Sequence, residues 1–168
     1  MTRARWTVVA VAAALCVLAA VVGPGLQLAR IEGQTMAPTL GDQDRVIVNR
    51  LAYAMSSPQR GDVVMLRYPR DQRKLFVKRV IAEGGDTLRI EDGRVYVNDR
   101  LLDDAYVAAD ARTHEDLGNQ VIPAHQYVVM GDRRNNSSDS RYWGLVQEDL
   151  ILGRVFARIW PRVGRLKS

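Results

Sequence analysis

The sequence predicts a small, mainly β body carried behind one membrane-spanning helix. Three observations point there. Residues 6–29 include no charge, and residues 6–22 form an almost unbroken apolar run that ends at Gly23-Pro24-Gly25. From Arg30 onward, short stretches of alternating apolar and polar residues are separated by turn-forming residues, the pattern of half-buried strands. The total of 168 residues, 47% apolar and 26% charged, suits one domain rather than several.

A hydrocarbon core of about 30 Å takes about 17 to 25 helical residues, so the apolar run spans it if the helix continues through Leu26 or Leu28. Arg3 and Arg5 precede the run, which by the positive-inside rule keeps the N-terminus cytoplasmic and sends everything after residue 30 across the membrane. A cleaved signal peptide has a similar layout, with Ala19 and Ala20 near its end. The run continues past those alanines, which favours a retained anchor; Cys16, inside it, reads as helix packing. The chain therefore divides into residues 1–29, a short cytoplasmic tail and transmembrane anchor in the cell membrane, and residues 30–168, an extracytoplasmic domain.

Within that domain the alternation predicts strands at 45–48, 62–68, 75–82, 87–90, 94–98, 126–130 and 154–160. The sharpest local signal is Asp92-Gly93 between two alternating runs, which suits a type I′ hairpin turn. Residues 103–120 are polar and weakly periodic and are expected to form a surface excursion.

Composition removes several chemistries. One cysteine allows no disulfide framework or zinc ribbon, its place inside the apolar run leaves the body no thiol nucleophile, and the two histidines, His114 and His125, sit in no motif for a triad or a metal site. No metal or other cofactor is expected. The formal charge of +5 is spread among 19 carboxylates without aromatic interleaving or a reading helix, so nucleic acid is not an expected partner.

Lysine is scarce: among 24 basic residues only Lys74, Lys78 and Lys167 are lysines. On a strand through 75–82, Lys78 shares a face with Phe76 and Val80. Two readings are open from spacing alone, a solvated strand charge or an ammonium desolvated by its neighbours. Desolvation lowers a lysine pKa, and a general base near neutral pH needs it well below its ordinary value of about 10.4. Arginine cannot fill that role, because its guanidinium does not deprotonate.

Three segments stand out: Glu32-Gly33-Gln34-Thr35-Met36-Ala37-Pro38-Thr39-Leu40, then Lys78-Arg79, then Gly131-Asp132-Arg133-Arg134-Asn135-Asn136-Ser137-Ser138-Asp139-Ser140-Arg141. With Arg60-Gly61-Asp62 and Gly85-Asp86 between them, they resemble, in order and over about residues 31–161, the type I signal peptidases. These are membrane-anchored Ser/Lys-dyad proteases that remove signal peptides from exported proteins. The resemblance implies a compact antiparallel β-sheet protease domain and signal-peptide-bearing preproteins as partners, met at the lipid bilayer. It places Lys78 as general base and Thr35 at the nucleophilic serine.

The same resemblance makes Ser137 the hydroxyl that orients the lysine and the Thr35 amide part of the oxyanion hole. Gly33 stands where some members add a serine hydroxyl, leaving only a backbone amide. Ile31, Met36, Leu40, Phe76 and Val77 become candidates for the substrate cleft, with Arg79, Asp132, Asp139 and Arg141 as structural neighbours. Arg133 replaces the usual asparagine. Threonine keeps the hydroxyl but adds a methyl that stiffens χ1. Three readings follow: a working Thr/Lys dyad, a catalytically inactive homologue that binds without cutting, and a serine enzyme altered at this position.

Overall fold

In the computed structural model, residues 25–112 and 116–166 are described; the apolar run of residues 6–22 and His114 lie outside them. In chain order the strands are β1 (Leu26–Arg30), β2 (Arg45–Asn49), β3 (Val63–Tyr68), β4 (Asp71–Ala82), β5 (Thr87–Glu91), β6 (Arg94–Val97), β7 (Arg100–Leu101), β8 (Leu117–Val121), β9 (Gln126–Met130), β10 (Val146–Gln147), β11 (Ile151–Trp160) and β12 (Gly164–Arg165). A single turn of α-helix, α1 (Ser140–Trp143), precedes β10. The larger sheet runs β1-β2-β11-β3-β4-β9-β10, with β12 against β11; the smaller runs β7-β6-β5-β8. Mainly antiparallel β structure is thus what the alternation produces.

The central strands are buried on both faces, which is why β3 reads as an apolar run instead of an alternation. Val63 and Met65 pack on one face with Val46, Val48, Val155, Ile31, Met36 and Leu40. Val64 and Leu66 pack on the other with Val80, Val129, Trp143 and Leu150. A third cluster, built from Ile81, Leu88, Ile90, Val95, Val97, Ile122, Val128 and Met130, joins the two sheets. Fully burying Met36 or Leu40 is worth about 1.5–3 kcal/mol each, enough to pin the irregular segment between β1 and β2 onto the sheet.

Between β5 and β6, Asp92 and Gly93 both take positive φ, 48° and 70°, as the type I′ turn requires. Two expectations need correction. Residues 26–29, assigned to the end of the anchor, belong to β1, which pairs with β2 from Leu26↔Asn49 to Arg30↔Arg45. The uncharged stretch runs on to Ala29, past Gly23-Pro24-Gly25, so absence of charge did not separate run from strand, although that Gly-Pro-Gly break marks the boundary. The polar stretch 103–120 is not wholly an excursion, because Leu117–Val121 forms β8 against β5. Among the described residues no helix is long and apolar enough to cross a membrane.

Candidate active site

The segment after β1 is shaped by its backbone. Gly33 takes φ 85°, and its N–H donates to Asp42 Oδ1 at 2.8 Å. That bond draws the exposed Asp42 carboxyl below its ordinary pKa. The Gly33 amide is therefore already occupied. Thr35 follows, half-buried, and its own N–H makes no hydrogen bond among the described residues. Its carbonyl accepts from the Arg133 N–H at 3.0 Å, so the third motif segment clamps the first.

Lys78 is carried by β4, between β3 and β9. It is 2% exposed, and its ammonium stands 5.5 Å from the centroid of the Phe76 ring. Burial pushes its pKa down to about 8, opposed by the negative charges of Asp139 and Asp132 and aided by Arg141. Those carboxylates act weakly on it because each is held by its own arginine. Asp139 accepts from Arg141 Nε at 2.8 Å, and Asp132 from Arg79 Nη2 at 2.8 Å. Desolvation then prevails, which is the condition for a lysine to serve as a base.

Both ion pairs also brace the loops. Asp132, fully buried, accepts from Arg79 Nε at 2.9 Å and from the Thr39 hydroxyl, tying β4 to the Thr35 loop. Arg79 further donates to the Gly61 carbonyl at 2.8 Å and lies 4.1 Å from the centre of the Tyr106 ring. Asp139 accepts from the Gly131 N–H at 3.0 Å and caps α1 through the Arg141 N–H. Ser137 is buried, and its Oγ has no hydrogen-bond partner among the described residues. A Cβ at Gly131 would collide with Ser137 Oγ and the Thr35 carbonyl oxygen, so only glycine lets these segments close together.

Thr35 and Lys78 line one cavity of about 480 Å³, together with Ile31, Met36, Phe76 and Val77. Leu40 does not; it is fully buried in the core beneath. Met65, Leu75, Ser138 and the β1 residues Gln27, Leu28, Ala29 and Arg30 also line it and escaped the sequence reading. Leu75 could have been found from its two-residue spacing to Val77. Asp42, Thr39 and Tyr106 act through contacts distant in sequence, for which no local signal exists.

Residues 2–160 match the family described as signal peptidase, peptidase S26. The chain belongs to that family. It is 42% identical over 144 residues to a probable signal peptidase I-2 of Synechocystis, an alignment covering 81% of this chain and 65% of that protein. It is 35% identical over 147 residues to signal peptidase IB of Staphylococcus aureus, covering 78% of this chain and 76% of that one. The chain thus spans just under two thirds of the Synechocystis protein's length. A crystal structure of a signal peptidase I from Enterococcus faecalis superposes with a TM-score of 0.52 at 28% identity, covering 60% of this chain and 97% of that one. Family membership accounts for the clustering of the three motif segments around one cavity.

Proposed function

We propose that this chain is a membrane-anchored endopeptidase that removes signal peptides from exported preproteins, with the Thr35 hydroxyl as nucleophile and Lys78 as general base. The observation that carries this reading is the presence, on one cavity, of a hydroxyl and a lysine whose pKa burial brings down to about 8. Thr35 Oγ attacks the scissile carbonyl carbon, and its proton passes to the neutral Lys78 amine. Lys78 then protonates the leaving amine. Water, deprotonated by the same lysine, releases the acyl group from Thr35. The Thr35 N–H is the oxyanion donor in this reading, whereas the Gly33 N–H contributes only if its bond to Asp42 opens. No step calls for a metal or cofactor.

The substrate site follows from the sheet. β1 is an edge strand, bonded to β2 alone, and the cavity lies between β1 and residues 75–78 of β4. An extended peptide can add to that free edge through main-chain hydrogen bonds while its alternate side chains enter the cavity. Ile31, Met36, Met65 and Val77 leave apolar room suited to small side chains at the first and third positions before the cut.

The anchor is assigned to the apolar run ahead of Gly25, with the N-terminus cytoplasmic and the β body outside. Strand register supports one point of this reading, the end of the sheet that would face the bilayer. Leu26 pairs with Asn49, Asn49 with Arg154, and β11 continues from there along β3 toward Tyr68. The entry of the chain, the loop after β2 and the turn between β3 and β4 therefore share one end of the sheet. That end exposes Leu51 (54%) and Met55 (100%) together with Arg73 and Lys74, which share the single carboxylate of Asp71 and leave a net positive charge suited to a lipid interface.

A preprotein cleavage assay on the full chain in detergent or vesicles tests the reading. The chain and Thr35→Ser are both expected to cut and Thr35→Ala to be inert. If the chain and Thr35→Ser are inert while folded and still binding the peptide, the inactive homologue replaces this reading; if only Thr35→Ser cuts, threonine is a disabled nucleophile.

A further inference from the structure

On the peptidase reading, the cavity takes the residues before the cut with the scissile carbonyl at Thr35, and the chain after the cut passes residues beside Thr35 that do not line that cavity. Gln34 and Arg133 stand there, next to Thr35 and outside the cavity lining. Arg133 is fixed at both ends. Its N–H donates to the Thr35 carbonyl at 3.0 Å, and its Nη1 donates to Gln34 Oε1 at 2.7 Å.

Charge and accessibility together set this arginine apart, since Arg134, which also lacks a carboxylate partner among the described residues, is buried and turned onto the Gly131 carbonyl. Arg79 and Arg141 are neutralised by Asp132 and Asp139, and Arg30, in the groove, acts on the carboxylate of Asp42. Arg133 has no carboxylate partner among the described residues, its side-chain contact being a neutral amide. A half-buried cation, held beside the nucleophile at the exit of the groove, biases any charged peptide that passes it.

We propose that Arg133 is a specificity-determining residue for the segment just after the cut, favouring preproteins whose mature chain begins with acidic residues and disfavouring basic ones. This rests on the peptidase reading above only for the direction in which the peptide lies. One exposed charge contact changes affinity by about two- to fivefold, so acidic and basic peptides are expected to differ by about tenfold at low salt. The preference shrinks as salt screens it.

The test uses the full chain carrying Lys78→Ala in detergent micelles, so that binding is read without turnover. Three fluorescent peptides spanning a cleavage site differ only at the second residue after the cut, which is Glu, Gln or Lys. Anisotropy is expected to rank their affinities Glu over Gln over Lys. The ranking should collapse on adding Arg133→Gln, which keeps the backbone bond to Thr35, and return with Arg133→Lys. A ranking unchanged by Arg133→Gln, or none in the parent, overturns the proposal. Cleavage of the Gln peptide by the chain with Lys78 intact is read separately: its absence counts against the peptidase reading, while the binding ranking still decides the role of Arg133.

Discussion

Lys78→Ala is expected to lower preprotein cleavage by about 10²–10⁴-fold, the usual contribution of a positioned general base. Lys78→Arg is expected to be as inactive, because the charge is kept and the lone pair is not. The unaltered chain should show a rate that rises with pH through about 8 and levels above it, since only the neutral amine accepts a proton. Burial that makes Lys78 a base also costs stability. Its folded pKa of about 8 lies below the ordinary lysine value, so between those values the unfolded chain binds more protons and stability rises with pH. Below pH 8 the whole penalty is present, about 3 kcal/mol for a side chain 2% exposed. Lys78→Met should therefore be inactive yet more stable than the parent by about 2–3 kcal/mol at pH 7, measured by urea unfolding. The gain should fade as pH approaches 10.

Asp132→Ala is expected to destabilise the protein by about 3–5 kcal/mol, because it leaves the buried Arg79 guanidinium without its carboxylate. The same change removes the acceptor of the Thr39 hydroxyl, which lies on the Thr35 loop, so activity should fall even in molecules that remain folded. Replacing both partners together, Asp132→Met with Arg79→Leu, should cost less than Asp132→Ala alone, since no unpaired charge is left behind. Denaturant midpoints at constant slope decide this. A loss below about 1 kcal/mol for Asp132→Ala would mean that the pair does not hold the loop.

The parts of the fold that sequence made legible were those where local chemistry and tertiary contact agree. The β5–β6 turn needed two residues tolerant of positive φ and has Asp92-Gly93. The strand carrying Lys78 was legible as an apolar run, Leu75-Phe76-Val77 and Val80-Ile81-Ala82, around Lys78-Arg79, and the pairs Arg79–Asp132 and Arg141–Asp139 joined residues already singled out by their motifs. What stayed hidden depends on long-range placement. β1 lies in the same uncharged stretch as the apolar run, beyond Gly23-Pro24-Gly25, so its role as the open edge of the groove emerges only from its register with β2. Leu40 has the apolar character of a cleft residue, but the turn beneath Thr35 points it into the core. The Gly33 amide looked available until Asp42, nine residues on, was found to hold it.

The central claim is that the Thr35 hydroxyl carries the acyl group with Lys78 as its base. Acid-quenching the full chain during turnover of a preprotein peptide, then digesting it and weighing the fragments, tests this most directly. The account predicts an ester of the amino-terminal peptide fragment on Thr35, absent from Thr35→Ala and Lys78→Ala. Cleavage with no ester on Thr35, or with the ester on Ser137 or Ser138, would contradict it.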